Sequence, residues 1–297
     1  MEERSQTNRE AQNSTGGSER FLTSERVSDF ARHLALEERS EHTIEKYLRD
    51  VRAFRGYLGG RGMTKELAIA YKQKLMKEVY ALRSINSMLA SLNGLFAFLG
   101  WSDCRVRTIK TQKQIFCPED RELTKAEYLR LLNAARQSGN QRLELVLQTI
   151  CGTGVRVSEL EYITVEAARR GEATVSCKGK TRSVFLVREL RKKLLAYAGA
   201  HGIQTGSIFV TRTGRPLSRT NVWREMKGLC EQARVNPRKV FPHNLRHLFA
   251  RLFYGIEKDL AMLADILGHS SIDTTRIYII STGVEHRKRM ESMRLIQ

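Results

Sequence analysis

Residues 143–187 read LELVLQTICGTGVRVSELEYITVEAARRGEATVSCKGKTRSVFLV, and the fold class turns on how this stretch is parsed. Leu143, Leu145, Val146, Leu147 and Ile150 predict an apolar helix that ends at the turn Gly152-Thr153-Gly154. Val157–Ile163 predicts a second, short helix. Ala173–Cys177 and Ser183–Val187 then read as two short strands. Between them Lys178-Gly179-Lys180-Thr181-Arg182 forms a tight polar turn of the hairpin type. A small hairpin set among helices predicts a mainly α fold with a small β-sheet.

Working outward, Thr124 and Glu127 have the T-x-x-E spacing of a capping box, opening a helix that carries Leu129, Leu131 and Leu132. Downstream, helix signals return over Arg188–Ala198, a third strand is expected at Ser207–Thr211, and Ser218 caps a helix expected to run to about Arg234. From His243 onward the pattern is mostly helical. On the other side, Asp103–Cys117 breaks the periodicity and carries Arg105, Arg107, Lys110 and Lys113 before Pro118, which reads as a basic linker. Before it, Ser24 to Trp101 predicts four short helices. Val27, Phe30 and Leu34 mark the first; Ile44, Tyr47, Leu48, Val51, Phe54 and Leu58 mark the second, with Ser40 at its cap. Thr64 caps the third, with Leu67, Ala70, Tyr71, Leu75 and Val79, and Ser84 opens the fourth, with Ile85 to Leu99. The first nineteen residues lack repeating apolar positions and read as a disordered tail. The expected organisation is a tail (1–19), an N-terminal helical domain (20–103), a basic linker (104–120) and a mixed α/β domain with a C-terminal interaction segment (121–297).

The 297 residues include 51 Lys and Arg against 32 Asp and Glu, a formal charge of +19. Such an excess calls for a polyanionic partner, nucleic acid first and an anionic membrane surface a distant second. No run of about 18 apolar residues suggests a membrane span, and the polar start is not that of a secretory signal, so a cytoplasmic location is expected. Five cysteines without a C-x-x-C spacing, and seven histidines without an H-E-x-x-H pattern, give no metal motif and no disulfide framework. No cofactor is expected.

Four stretches carry chemistry. They are Gly152–Leu160 with Arg156 and Glu159, Cys177–Lys180, His243-Asn244-Leu245-Arg246-His247, and Leu267-Gly268-His269-Ser270-Ser271, with Tyr278 nine residues after His269. His243 and Arg246 are three apart and share one helix face. Arg156 opens a helix after a glycine-rich turn, where anions are held. Guanidiniums bind phosphate oxygens in a forked way. A phenol is a poor nucleophile at its free pKa of about 10, and nearby cations with a histidine base favour its oxyanion. Tyr254 competes as a nucleophile but lies in an apolar stripe.

Together these stretches resemble the tyrosine recombinases, the phage integrase family. That pattern has an Arg in TGxRxSEL, a hairpin Lys, H-x-x-R, and LGHxxxxTTxxY with the nucleophile. Here the matches are Arg156, Lys178, His243, Arg246, His269 and Tyr278, in order. Lys180 competes with Lys178, because this hairpin loop is shorter than is common in the family. The resemblance implies a two-domain enzyme that clamps double-stranded DNA, needs no cofactor or metal, and acts as a homotetramer on two DNA sites, with accessory DNA-bending proteins in some systems. It implies that Tyr278 forms a 3′-phosphotyrosyl link, that Arg156, Arg246 and His269 hold the phosphate, that His243 takes the phenol proton, that Lys178 protonates the leaving 5′-oxygen, and that Glu159 supports a neighbouring base. Arg105, Arg107, Lys110 and Lys113 are the candidate DNA contacts. The favoured role is integration, excision or resolution for a mobile element. Xer-like dimer resolution and DNA inversion are the alternatives. A type IB topoisomerase, a non-catalytic DNA-binding regulator and a basic RNA-binding protein rank lower.

Overall fold

A computed structural model of the chain describes residues 20–110, 121–177, 180–269, 271–278 and 291–293, with the backbone alone at 177 and 180. The tail, Lys113, Lys178 and most of the C-terminal segment therefore lie outside the described residues. The chain divides into two compact units, 1–113 and 114–297.

The first unit is built on α1 (Ser24–Leu36), α2 (Glu41–Leu58), α3 (Lys65–Lys77) and α4 (Leu82–Phe98). Val27, Phe30, Val51, Phe54, Leu58, Tyr71, Leu89 and Phe96 close its core. Phe54 is wholly buried and meets the rings of Tyr71 and Phe96 edge-on at 4.9 and 5.8 Å. Thr64 caps α3 as expected, accepting from the Leu67 N–H. Two expectations need correction. The third helix stops at Lys77, leaving Val79 fully exposed, and the fourth opens at Leu82 and not at Ser84. Ser40 stands at the α2 cap position, but its hydroxyl meets Thr43 and caps no N–H.

The expected linker also starts later than its composition suggested. Asn93 brackets Val106, donating to its carbonyl and accepting from its N–H, and Asn86 does the same for Ile109. Lys65 and Lys72 donate to the carbonyls of Arg105 and Arg107. Buried Val106 anchors this strand-like segment to the helical unit, so the side chains of Arg105, Arg107 and Lys110 stand exposed on that unit's surface.

In the second unit the capping box forms: Thr124 accepts from the Glu127 N–H while Glu127 accepts from the Thr124 N–H. It opens α5 (Lys125–Gln137). Next comes α6 (Gln141–Thr153), whose Leu143, Leu145, Val146, Leu147 and Ile150 are all buried, so it runs through the middle of the core. After a 3₁₀ turn (Val157–Tyr162) come α7 (Val165–Arg170), β1 (Glu172–Cys177), β2 (Lys180–Phe185), α8 (Arg188–Ala200), α9 (Arg219–Gly228), α10 (Cys230–Ala233), α11 (Pro242–Glu257), α12 (Leu260–Leu267) and α13 (Ile272–Arg276). The hairpin is tighter than expected: Cys177 pairs with Lys180, which moves Arg182 from the turn into β2 opposite Val175. The expected third strand is reduced to two isolated bridges, Thr164 with Ser207 and Val210 with Pro216, so the described sheet has two strands. The helix after Ser218 is interrupted at Leu229. Among the described residues no helix is long and apolar enough to cross a membrane.

Candidate active site

Three turns bring the polar stretches together. Gly154 ends α6 at φ 69°, and a Cβ there would lie 2.6 Å from the Phe249 ring and 2.9 Å from Leu267, so only a glycine lets α11 and α12 approach this closely. Gly268 ends α12 at φ 64° and turns the chain toward His269. Pro242 opens α11, and in its first turns the helix presents His243, Arg246 and His247.

Arg246 is completely buried. Its Nη1 donates to the Gly154 carbonyl, and its Nη2 donates to the Leu267 carbonyl and to His269 Nε2 at 3.0 Å. Among the described residues its Nε has no partner. Burial first, then the charge of Arg156, lowers its pKa to about 10, which still leaves it charged at neutral pH. A buried guanidinium among other cations, with a spare N–H, is a site for an anion.

Half-buried His269 is fixed from both sides. Its pKa is lowered to about 4 by burial and then by Arg246, Arg156, Arg182 and His243, so the ring is neutral at pH 7. Because Arg246 can only donate, Nε2 must accept, which puts the ring proton on Nδ1. The buried Thr275 hydroxyl, 2.8 Å away, accepts it.

Tyr278 is 6% exposed, and its hydroxyl lies 3.2 Å from His243 Nε2. The His247 ring stacks on the phenol at 4.1 Å and 21°, and the Arg246 guanidinium lies 5.9 Å from the phenol's centre. His243 reaches solvent on one side but packs against Tyr278 and His247 on the other. That desolvation, followed by the charges of Arg246, Arg156 and Arg219, lowers its pKa and keeps it a neutral proton acceptor. Burial, then His243, Arg246 and His269, brings His247 to about 4.

Arg156 stands at the start of the 3₁₀ turn, held by Glu159. Its N–H and its Nη1 each donate to a Glu159 oxygen, both at 2.7 Å. Glu159 is 1% exposed. Burial would raise its pKa, but the Arg182 fork, the Arg156 N–H and the Arg156 side chain outweigh it and hold the carboxyl at about 2.

Five of the six expected site residues thus lie in one cluster: Arg156, His243, Arg246, His269 and Tyr278. The sixth, Lys178, lies outside the described residues, and so does the choice between it and Lys180. Tyr254 is half-buried with Lys258 over its ring, consistent with a packing role. Three contributors were missed. Arg182 reads as part of the polar turn from the sequence, and only its place in β2 turns it onto Glu159. His247 stands within a quoted stretch and Thr275 is the second threonine of the LGHxxxxTTxxY pattern, but only packing reveals what they touch.

Two guanidiniums, three imidazoles and a phenol around one small space define a centre suited to nucleophilic transfer at a phosphodiester. Comparison with known proteins agrees. The phage integrase family model matches residues 121–283, and the model of the phage integrase N-terminal SAM-like domain matches 27–103. The chain belongs to the phage integrase family, the tyrosine recombinases. It is 29% identical to the tyrosine recombinase XerA of Pyrococcus furiosus, over 94% of this chain and 97% of that one. It is 30% identical to the XerA of Thermococcus kodakarensis, over 91% and 96%. Among solved structures, the Tn1549 transposon integrase in complex with circular intermediate DNA shares the fold (TM-score 0.70, 17% identity, covering 90% of this chain and 99% of that one). So does a lambda integrase tetramer bound to a Holliday junction (TM-score 0.69, 20% identity, 88% and 78%).

Proposed function

We propose that this chain is a site-specific DNA recombinase in which Tyr278 attacks a phosphodiester of double-stranded DNA. The observation that carries this reading is the phenol hydroxyl 3.2 Å from a neutral His243 Nε2, beside the buried Arg246. The phenol proton passes to His243 as the oxygen attacks phosphorus. The bond from phosphorus to the 5′-oxygen breaks, leaving a 3′-phosphotyrosyl link and a 5′-hydroxyl, with Lys178 as the acid for the leaving oxygen. Arg246 and Arg156 bear the charge that builds on the non-bridging oxygens, a contribution of about 3–4 kcal/mol per preorganised donor. His269 starts as an acceptor from Arg246, so its donation to a phosphate oxygen requires that Nε2 take up a proton as the phosphate arrives. Attack by a 5′-hydroxyl of a second duplex reverses the step with no external energy source. The exposed Arg105, Arg107 and Lys110, together with Lys113, contact backbone phosphates. The proposed assembly is a tetramer on two DNA sites, acting in the cytoplasm; a protein of the same fold, lambda integrase, forms a tetramer on a Holliday junction.

The test is a nicked duplex selected for binding from a random library. The expected result is an adduct that survives SDS, lost in Tyr278→Phe. An adduct that persists in that variant refutes Tyr278 as the nucleophile, and relaxation of supercoils without strand exchange refutes recombination in favour of a topoisomerase. For the biological role, the fold likeness to a transposon integrase supports a mobile element, whereas near full-length similarity to XerA proteins supports resolution of chromosome or plasmid dimers. Sequencing the DNA that the protein binds in its host separates them: element ends for the first, a single chromosomal or plasmid locus for the second.

A further inference from the structure

Arg182 is outside the residues given a chemical role above, yet one side chain of it joins three segments of the site. Its inward direction follows from strand geometry. Alternate residues of β2 face the core, so Arg182 and the buried Val184 point inward while Phe185 is 70% exposed. Only 11% of the Arg182 side chain meets solvent. Its Nη1 and Nη2 fork the two Glu159 oxygens at 2.8 and 2.7 Å, and its Nε donates to the Ile266 carbonyl at 3.2 Å. Its aliphatic stem passes over Gly268 so closely that a Cβ there would lie 2.5 Å from Arg182 Cδ. The first bond reaches the carboxylate that holds Arg156. The second and third reach the end of α12, immediately before His269.

We infer that Arg182 is a positioning residue for strand cleavage, acting on the phosphate through Arg156 and His269 without touching DNA itself. Its Nη1/Nη2 fork is closed on Glu159 and its Nε is taken by Ile266, so of five N–H groups only one on each Nη is left over, on a side chain 11% exposed, and no two-pronged face is left for a phosphate. A lysine there has one donor nitrogen where the guanidinium places three in a fixed plane, so it cannot reproduce the two parallel bonds to Glu159 together with the Nε bond to Ile266. The inference rests on the reading that Arg156 and His269 hold the scissile phosphate.

The test is single-turnover formation of the covalent adduct by the full chain at saturating protein, measured alongside DNA affinity and melting temperature. Arg182→Met keeps the stem over Gly268 and removes the fork, while Arg182→Lys keeps the charge. The expected result is a fall in adduct rate of roughly 10–100-fold in both variants, the scale of a small misplacement of reacting groups, with DNA affinity unchanged. In an Arg156→Ala background the Arg182→Met change should cost much less, because part of what it positions is gone. A folded Arg182→Lys that cleaves at the wild-type rate overturns the inference. So does a penalty that multiplies in full on the Arg156→Ala background, since a group acting through Arg156 must lose part of its effect there. If Arg156→Ala by itself leaves cleavage unchanged, the reading of the phosphate site has failed, and that outcome is seen before Arg182 is tested.

Discussion

Replacing Glu159 by Gln tests the electrostatic centre of the catalytic unit. Each Glu159 oxygen receives two hydrogen bonds. Oε1 accepts from Arg156 Nη1 and Arg182 Nη1, and Oε2 accepts from the Arg156 N–H and Arg182 Nη2, all at 2.7–2.8 Å. Gln is nearly the same shape, but whichever way its amide turns, its nitrogen faces two N–H donors. The carboxyl pKa is depressed from 4.5 to about 2. At 1.36 kcal/mol per unit this is worth about 3 kcal/mol of folding stability, and breaking one member of a buried pair costs a similar ~3–5 kcal/mol. Because the folded pKa is the lower one, the contribution is complete above about pH 5, less than half of it remains at pH 3, and little is left at pH 2. The variant lacks it at every pH. For a unit of this size about 3 kcal/mol corresponds to a fall in Tm of roughly 6–12 °C. The measurement is equilibrium unfolding of the full chain, wild type and Glu159→Gln, between pH 7 and pH 2. The gap should be about 3 kcal/mol at pH 7 and shrink as pH falls. A gap of the same size at pH 7 and pH 3 refutes the reasoning, because it would assign the loss to packing and not to charge.

Other expectations are simpler. Gly154→Ala must place a side chain at φ 69° and within 2.6 Å of Phe249, so it should destabilise the catalytic unit by about 2–4 kcal/mol, read by denaturant unfolding. The adduct rate should fall with acidity along a limb that lies below 6.5, since a protonated His243 cannot accept the phenol proton and desolvation beside Arg246 and Arg156 lowers its pKa; a limb above 6.5 counts against His243 as the acceptor. Phe54→Ala should cost the helical unit about 3–5 kcal/mol by unfolding, through the cavity left between Tyr71 and Phe96. Arg107→Ala should lower the slope of log affinity against log salt by about 0.9 while leaving Tm unchanged, because the side chain is exposed whereas its carbonyl stays tied to Lys72.

Much of the fold was legible where one residue type has one physical use. The Thr124–Glu127 capping box and the α6 apolar run both read correctly, because caps and buried helices leave local marks. Errors fell where a long-range partner decides. Val79 continued a helical stripe on paper, but α3 ends at Lys77 and nothing covers that position. Ser207–Thr211 has the composition of a strand but finds only single-bridge partners. Residues 105–109 look like a linker because they lack periodicity. What holds them is a pair of asparagines, Asn86 and Asn93, on the facing side of α4, and no spacing rule reveals that.

The site divides along the same line. Arg156, His243, Arg246 and Tyr278, the proposed DNA-facing residues, each have an ordinary local explanation, and only their joint order along the chain marks them. Residues that meet only each other carry no such mark. Arg182 spells an ordinary basic hairpin until β2 turns it inward onto Glu159. Thr275 reads as a helix residue until its hydroxyl is found on His269 Nδ1. Yet these hidden contacts determine what the visible residues can do. Thr275 and Arg246 together set the His269 tautomer, and Arg182 shares with Arg156 the charge that keeps Glu159 ionised. With its one buried carboxylate already bonded four times by two arginines, the cluster keeps Arg246 short of a counter-charge, the gap that the proposed phosphodiester fills.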